Sequence, residues 1–259
     1  MIPTLSELEL LARQAGNILR RGYGLRHQVD NKGAIDLVTE VDRQSEAFLL
    51  DEILRRFPGH RLLAEESGNQ AGDDCCLWLI DPLDGTVNYA HGVPVFAVSL
   101  AVQVDGALRV GVIYDPLRDE CFSAEHGKGA WLNGEPIHVS QARELVNSLL
   151  VTGFPYDIHK NPVNNLDHYV RFSLLSQGVR RLGSAALDLA YVACGRFDGY
   201  WELRLGAWDV AAGALIAGEA GAIVTDITGG PDYFPKVDSI LVANPILHPQ
   251  MMAVLQRRG

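Results

Sequence analysis

Apolar residues recur at helical spacing from the start of the chain, at Leu5, Leu8, Leu11, Ala12, Ala15, Ile18 and Leu19. Residues three or four places apart share one helix face, so this row predicts an amphipathic helix. Thr4, with Glu7 three residues later, has the form of a capping box, and Gly22 to Gly24 supplies the stop. A polar segment follows, with Lys32-Gly33 and then Ile35-Asp36-Leu37-Val38-Thr39-Glu40-Val41-Asp42. Apolar positions at Phe48, Leu49, Ile53 and Leu54 then mark a second helix that Pro58-Gly59 ends. The period changes to strands at Arg61 to Ala64, which runs into Glu65, and at Leu77 to Ile80, which runs into Asp81. Val95 to Val104 and Leu108 to Tyr114 flank Asp105-Gly106, a hairpin signal. Glu120 to Ala124 and Ala130 to Val139, the latter broken by Asn133-Gly134, extend the same antiparallel sheet.

After Ser148 short apolar strands alternate with helices. Strands are predicted at Leu149 to Val151, Val179 to Leu182, Phe197 to Glu202, Ala222 to Asp226 and Ser239 to Val242. Helices are predicted at Asn164 to Leu175, Ser184 to Cys194, Trp208 to Ala220 and Pro249 to Gln256, the third rich in small residues that permit close packing. That alternation predicts an α/β half over residues 146–259, following an α+β half over residues 1–145. At 259 residues the chain accommodates one large layered domain or two closely packed halves.

Composition narrows the possibilities. Hydrophobic residues make up 47% and charged residues 21%, which excludes a disordered chain. The formal net charge of −10 argues against a general nucleic-acid-binding surface, which needs clustered Lys and Arg. An anionic substrate then requires local cations. The 4 cysteines include neither a Cys-x-x-Cys pair nor a disulfide framework. With no signal-like N-terminal segment and no apolar run long enough to cross a bilayer, the expectation is a cytoplasmic protein.

The chemistry concentrates in Leu77 to His91, where an apolar strand meets Asp81-Pro82-Leu83-Asp84-Gly85-Thr86. Two carboxylates held at a strand end can share a hard cation, and the amides of Gly85 and Thr86, if they open a helix, can face phosphate. Val112-Ile113-Tyr114-Asp115-Pro116 repeats the strand-then-Asp-Pro pattern, but Arg118 and Asp119 stand where the first copy has Asp84 and Gly85. Asp-Pro alone therefore predicts a turn. Asp-Gly-Thr is also similar to the nucleophile loop of haloacid-dehalogenase-like phosphatases, in which an aspartate two residues earlier attacks phosphorus. Pro82 holds that place here, so the pair reads as metal ligands instead. Asp42 and Asp209 each stand at a predicted helix start, where a capping or dipole role accounts for an aspartate, and Gly183-Ser184 has the form of a turn glycine and N-cap.

Taken together, these stretches resemble the inositol monophosphatase family. Trp78 to His91 resembles its first signature, and Trp208-Asp209-Val210-Ala211-Ala212-Gly213 through Glu219-Ala220-Gly221-Ala222 its second. Leu63 to Ser67 and Asp36 to Asp42 fit in the same order, so the likeness covers nearly the whole chain. The resemblance implies a layered αβαβα sandwich and Mg²⁺-dependent hydrolysis of a phosphate monoester. Carried over by position, Glu65, Asp81 and the Leu83 carbonyl would hold one Mg²⁺, and Asp81, Asp84 and Asp209 a second. Thr86 and Asp42, with Glu65, would position and deprotonate a water. Phosphate would rest on the Gly85 and Thr86 amides between Asp84 and Asp209. The alcohol would be read by Glu202 and the Gly183-Ser184-Ala185 backbone, while Lys32 would close over the metals. A homodimer and inhibition by Li⁺ are implied in the same way.

The departures from the family pattern lie beside the substrate. Arg204 replaces a residue that is small in many members, and Gly206 a larger polar one. The Glu65 to Asp81 interval is short, which predicts a trimmed surface loop. Inositol 1-phosphate is the first substrate expected, with histidinol phosphate, fructose 1,6-bisphosphate, NADP and a nucleoside bisphosphate as alternatives within the same chemistry. An expectation of another class is a regulatory binding partner of an RNA or transcription complex.

Overall fold

The computed structural model describes residues 2–31, 37–231 and 233–256. Helix α1 (Leu5–Gly22) begins at the expected capping box, with the Thr4 amide donating to Glu7 Oε2 at 2.8 Å. It is followed by β1 (Val29–Asn31), β2 (Leu37–Thr39), α2 (Glu40–Arg56), β3 (His60–Ala64), β4 (Gly68–Gln70) and β5 (Asp73–Asp84). Next come α3 (Thr86–Ala90), β6 (Ala97–Val104), β7 (Ala107–Asp115), β8 (Glu120–Glu125), β9 (Gly129–Leu132) and β10 (Glu135–Pro136). The later elements are β11 (Leu149–Thr152), α4 (Leu166–Leu175), β12 (Gly178–Arg180), α5 (Ala185–Ala193) and β13 (Gly199–Leu205). The last are α6 (Ala207–Glu219), β14 (Ile223–Thr225), β15 (Val237–Ala243) and α7 (His248–Leu255).

An eight-stranded sheet in the order β10-β9-β8-β7-β6-β5-β3-β4 is antiparallel apart from the β3–β5 pair. A five-stranded sheet runs β12-β11-β13-β15-β14, with β11 parallel to both of its neighbours and β15 antiparallel to both of its own. Both sheets are covered on both faces, which is why their strands read as nearly unbroken apolar runs. Successive side chains in a strand point to opposite faces, so Trp78, Ile80 and Val112 pack with α1 and α2. Leu79 and Ile113 point the other way, into a core shared with α5 and α6. The second sheet divides likewise: Val151, Tyr200 and Ile240 join that middle core, and Leu150, Trp201 and Leu241 pack with residues of α4 and α7. The result is the αβαβα sandwich that the sequence led us to expect.

The small residues of α6 let it lie directly on the first sheet. A Cβ added at Gly111 in β7 would come within 3.1 Å of the Ala212 backbone, and one at Gly213 within 2.5 Å of Leu189 in α5.

Two local expectations change. The strand predicted at Leu77 to Ile80 does not end in a turn at Asp81-Pro82 but continues to Asp84. Asp81 pairs with Ser99 and Asp84 with Ala97, so β5 carries one residue more than β6 across this interval, a bulge. Proline has no N–H to leave unpaired, so a bulge is where a strand tolerates it. The strand predicted to reach Val139 ends instead at Pro136. The short Glu65 to Asp81 interval holds β4 as its only strand before β5 begins. Asp115-Pro116 is a turn, with Asp115 Oδ1 accepting from the Leu117 and Arg118 amides at 2.9 and 3.0 Å.

Candidate active site

The bulge in β5 sets two carboxylates side by side. Asp81 is 1% exposed, and its Oδ1 accepts from the Leu83 amide at 3.0 Å. Asp84 reaches across to the start of α5, where its Oδ2 accepts from the Ser184 hydroxyl and from the Ala186 amide. One carboxylate thereby joins the first sheet to the N-terminus of a helix in the middle layer, an end that favours negative charge. Gly85 follows at φ 93°, in left-handed conformation, and a Cβ there would lie 2.9 Å from the Val95 carbonyl. Glycine is required on both counts. Thr86 then opens α3. Asn88 secures that helix by donating to the Val95 and Leu182 carbonyls at 2.9 and 2.8 Å, so Gly183 and Ser184 stay against it.

Asp42 is fully buried at the start of α2. Its Oδ2 accepts from the Thr39 amide at 2.9 Å in a capping box, and its Oδ1 accepts from the Thr86 hydroxyl at 2.8 Å. Asp209 caps α6 in a similar way, accepting from the Gly206 amide at 2.6 Å. The ordinary capping roles of both aspartates are therefore real, and Asp209 also lines the site cavity while Asp42 bonds to Thr86 at its wall. Glu202, in β13, accepts from the Tyr200 hydroxyl at 2.7 Å. Its carboxylate lies so close over Gly153 that a Cβ there would meet Oε1 at 2.2 Å.

Glu65, Asp81, Leu83, Asp84, Gly85, Thr86, Gly183, Ser184, Ala185, Glu202 and Asp209 all line one cavity of about 220 Å³. Every proposed site residue is brought there except Asp42, which stands behind Thr86, and Lys32, which lies outside the described residues. Residues that sequence reasoning missed also line it: Gly153, Arg181 and Asp188. Arg181 and Asp188 flank the Gly183-Ser184 stretch but read there as a solvated cation and a first-turn acid, and Gly153 meets Glu202 only through a contact distant in sequence. Arg204 adopts φ 61°, a left-handed conformation that favours glycine, and pairs with Asp157 at 2.7 Å. Gly206 leaves room for Trp208, whose ring a Cβ at that position would meet at 2.6 Å.

The electrostatics are lopsided. Among the described lining residues the positive groups are Arg181 and Arg204, against the carboxyls of Glu65, Asp81, Asp84, Asp188, Glu202 and Asp209. Burial, then repulsion from Glu65, Asp84 and Asp209, pushes Asp81 well above the carboxylate range. Burial and the charges of Glu65 and Asp84 do the same to Asp209. Burial raises Asp84 to about 6 despite the Ser184 hydroxyl and the α5 amides, and Glu202 to about 7 despite Tyr200. Among the described residues no three acidic, histidine or cysteine groups already stand in coordination geometry. Asp81, Asp84 and Asp209 are each tied to a nearby donor, as above. The donor set nevertheless fits Mg²⁺, since it is all oxygen and its concentrated charge is what a small, hard divalent cation neutralises.

This charge has a consequence for stability. A carboxyl whose pKa rises on folding contributes stability below its ordinary value and loses it as pH climbs through the folded value. For Asp84 and Glu202 that window runs from about 4 to about 7. The melting temperature of the metal-free protein is expected to fall between about pH 4 and about pH 7, and added Mg²⁺ to restore it at the upper end. Calorimetry checks this. A melting temperature that climbs through that window, or ignores Mg²⁺, would contradict the assignment.

A carboxylate-lined cavity where a β-bulge meets two helix starts thus sits inside an αβαβα sandwich. The chain belongs to the inositol monophosphatase family, whose model matches residues 3–259. It is 48% identical over 236 residues to inositol-1-monophosphatase from Synechocystis sp., a match covering 90% of this chain and 82% of that one. It is 43% identical over 256 residues to Nus factor SuhB from Escherichia coli, covering 98% and 96%. The solved inositol monophosphatase of Anabaena (Nostoc) sp. superposes with a TM-score of 0.86 at 45% identity, covering 97% of this chain and 94% of that one. Among the described residues no helix is long and apolar enough to cross a membrane.

Proposed function

We propose that the protein hydrolyses a phosphate monoester of a polyol or sugar in a Mg²⁺-dependent reaction, with inositol 1-phosphate the first substrate. The observation that carries this is the convergence of Glu65, Asp81, Asp84 and Asp209 on one cavity, with the Thr86–Asp42 hydrogen bond at its wall. Glu65, Asp81 and the Leu83 carbonyl would hold one Mg²⁺, and Asp81, Asp84 and Asp209 another. Bound metal would supply positive charge to the phosphoryl oxygens and make a nearby water more acidic. The Gly85 and Thr86 amides face the phosphate. The Thr86 hydroxyl donates its proton to Asp42, so its oxygen is left to accept from the attacking water. As the water gives up a proton, Thr86 takes it and passes its own to Asp42, whose pKa burial has raised. Glu202 and the Gly183-Ser184-Ala185 segment receive the alcohol.

Phosphate release by purified protein with Mg²⁺ tests the assignment across inositol 1-phosphate, histidinol phosphate, fructose 1,6-bisphosphate, NADP and 3′-phosphoadenosine 5′-phosphate. The expected result is a preference for inositol 1-phosphate. Preference for another ester would reassign the substrate, and release from none would reject the hydrolytic reading.

The similarity to Nus factor SuhB favours a second role, as a regulatory binding partner of an RNA or transcription complex. Such binding would be independent of the cavity, and retention of an Asp84→Asn protein on that complex tests it. A homodimer belongs to the same family reading. Leu166, Val170 and Leu174, 45%, 55% and 81% exposed along α4, offer it an apolar face, and sedimentation of a single species of monomer mass would exclude it.

A further inference from the structure

We infer that Asp188 is a second substrate-recognition carboxylate, set beside Glu202 to take hydrogen bonds from an alcohol that carries at least two free hydroxyls. This deepens the phosphatase reading and rests on it. Asp188 lies one turn into α5 and is 1% exposed, yet it forms part of the cavity lining. Its Oδ1 is buried with no hydrogen-bond partner among the described residues.

The neighbouring carboxyls make the contrast. Asp42, Asp81, Asp84, Glu202 and Asp209 each accept a hydrogen bond from within the fold. Among the described residues Asp188 Oδ1 has no such bond, although a buried, unpaired polar oxygen costs stability. A carboxylate kept under that cost in a cavity wall is suited to donors brought by a ligand. Glu202, Asp84 and Arg181 are the charged groups that act on it, so it belongs to the alcohol end of the cavity, with Glu202. Burial and the charges of Glu202 and Asp84 hold Asp188 well above the ordinary carboxylate range, but a carboxyl oxygen accepts in either protonation state, and the complementary groups on an uncharged alcohol are hydroxyls. Two such carboxylates, one fixed by Tyr200 and Gly153 and one with bonding capacity to spare, select a polyol over an alcohol with a single polar group. Arg181 at the rim offsets part of their combined charge.

The test compares kcat/KM for inositol 1-phosphate and for 4-nitrophenyl phosphate, whose leaving group has no hydroxyl donor, in the unsubstituted protein and in Asp188→Asn. The ratio of the two is expected to fall about tenfold or more, mainly through KM for the polyol ester. The melting temperature is expected to hold, since asparagine keeps the size of the side chain and breaks no hydrogen bond of the fold among the described residues. An unchanged ratio, or parallel losses on both esters with a lower melting temperature, overturns the inference and assigns Asp188 to packing. Should Asp188→Asn fail to fold, monodeoxy analogues of inositol 1-phosphate tested with the unsubstituted protein decide the matter. Weakened turnover on removal of two different hydroxyls supports the inference, and indifference to each of them overturns it. Release of phosphate from neither ester by the unsubstituted protein overturns the phosphatase reading as well, which separates the two failures.

Discussion

Asp84→Asn is expected to lose at least about a hundredfold in kcat/KM while folding normally. The Asp84 carboxylate accepts from the Ser184 hydroxyl and the Ala186 amide through one oxygen, Oδ2, and the asparagine carbonyl can keep both bonds. What the substitution removes is one negative charge from a cavity lined by Glu65, Asp81 and Asp209. That charge is unfavourable for the metal-free fold, because burial and like-charge repulsion already push these groups up. The melting temperature of the metal-free variant is therefore expected to equal or exceed that of the parent. Phosphate release and thermal unfolding, measured on the same preparation, separate loss of chemistry from loss of structure.

The second large effect concerns the proton path. Thr86→Val keeps the shape of the side chain and removes the hydroxyl, and Asp42→Asn removes the carboxylate that takes up the proton behind it. Each alone is expected to lower kcat by about a hundredfold or more, the size of a positioned general base. The two groups act as one unit through a single 2.8 Å bond, so the double substitution is expected to cost little more than either single one. Losses that multiply would show that Thr86 and Asp42 act separately. Asp42 also caps α2 through Thr39, so a parallel melting curve is needed to confirm that Asp42→Asn keeps the helix start.

Much of the molecule was legible in the sequence where the cause was local or periodic. The capping box at Thr4 and Glu7 and the Asp105-Gly106 and Asn133-Gly134 turns depend on a few adjacent residues, and they stand as expected. The layers were legible because both sheets are sandwiched, which leaves unbroken apolar strands and a small-residue helix such as α6. The Asp81 to Thr86 stretch marked a candidate site. It read as a turn because Pro82 normally breaks a strand, and the bulge that admits it depends on pairing with β6, which is not a local property.

The alcohol end of the cavity was less legible. Gly153 reads as any loop glycine until Glu202, 49 positions later, folds over it. Asp188 reads as an ordinary acidic residue in the first turn of a helix, and only the packed middle layer turns it toward a cavity. Arg204 was visible as a departure beside Glu202. Its left-handed backbone and its pairing with Asp157 require the β13–β15 register and the segment after β11.

The central claim is that the acidic cavity is a Mg²⁺-dependent phosphate ester hydrolase site. It is tested most directly by the rate of phosphate release from inositol 1-phosphate as Mg²⁺ is returned to chelator-treated protein, with Asp84→Asn run alongside. The account predicts no release without Mg²⁺, a saturable rise as Mg²⁺ is added, and a variant that stays near zero throughout. Release that does not depend on Mg²⁺, or a well-folded Asp84→Asn protein with the parent's rate and Mg²⁺ response, would contradict it.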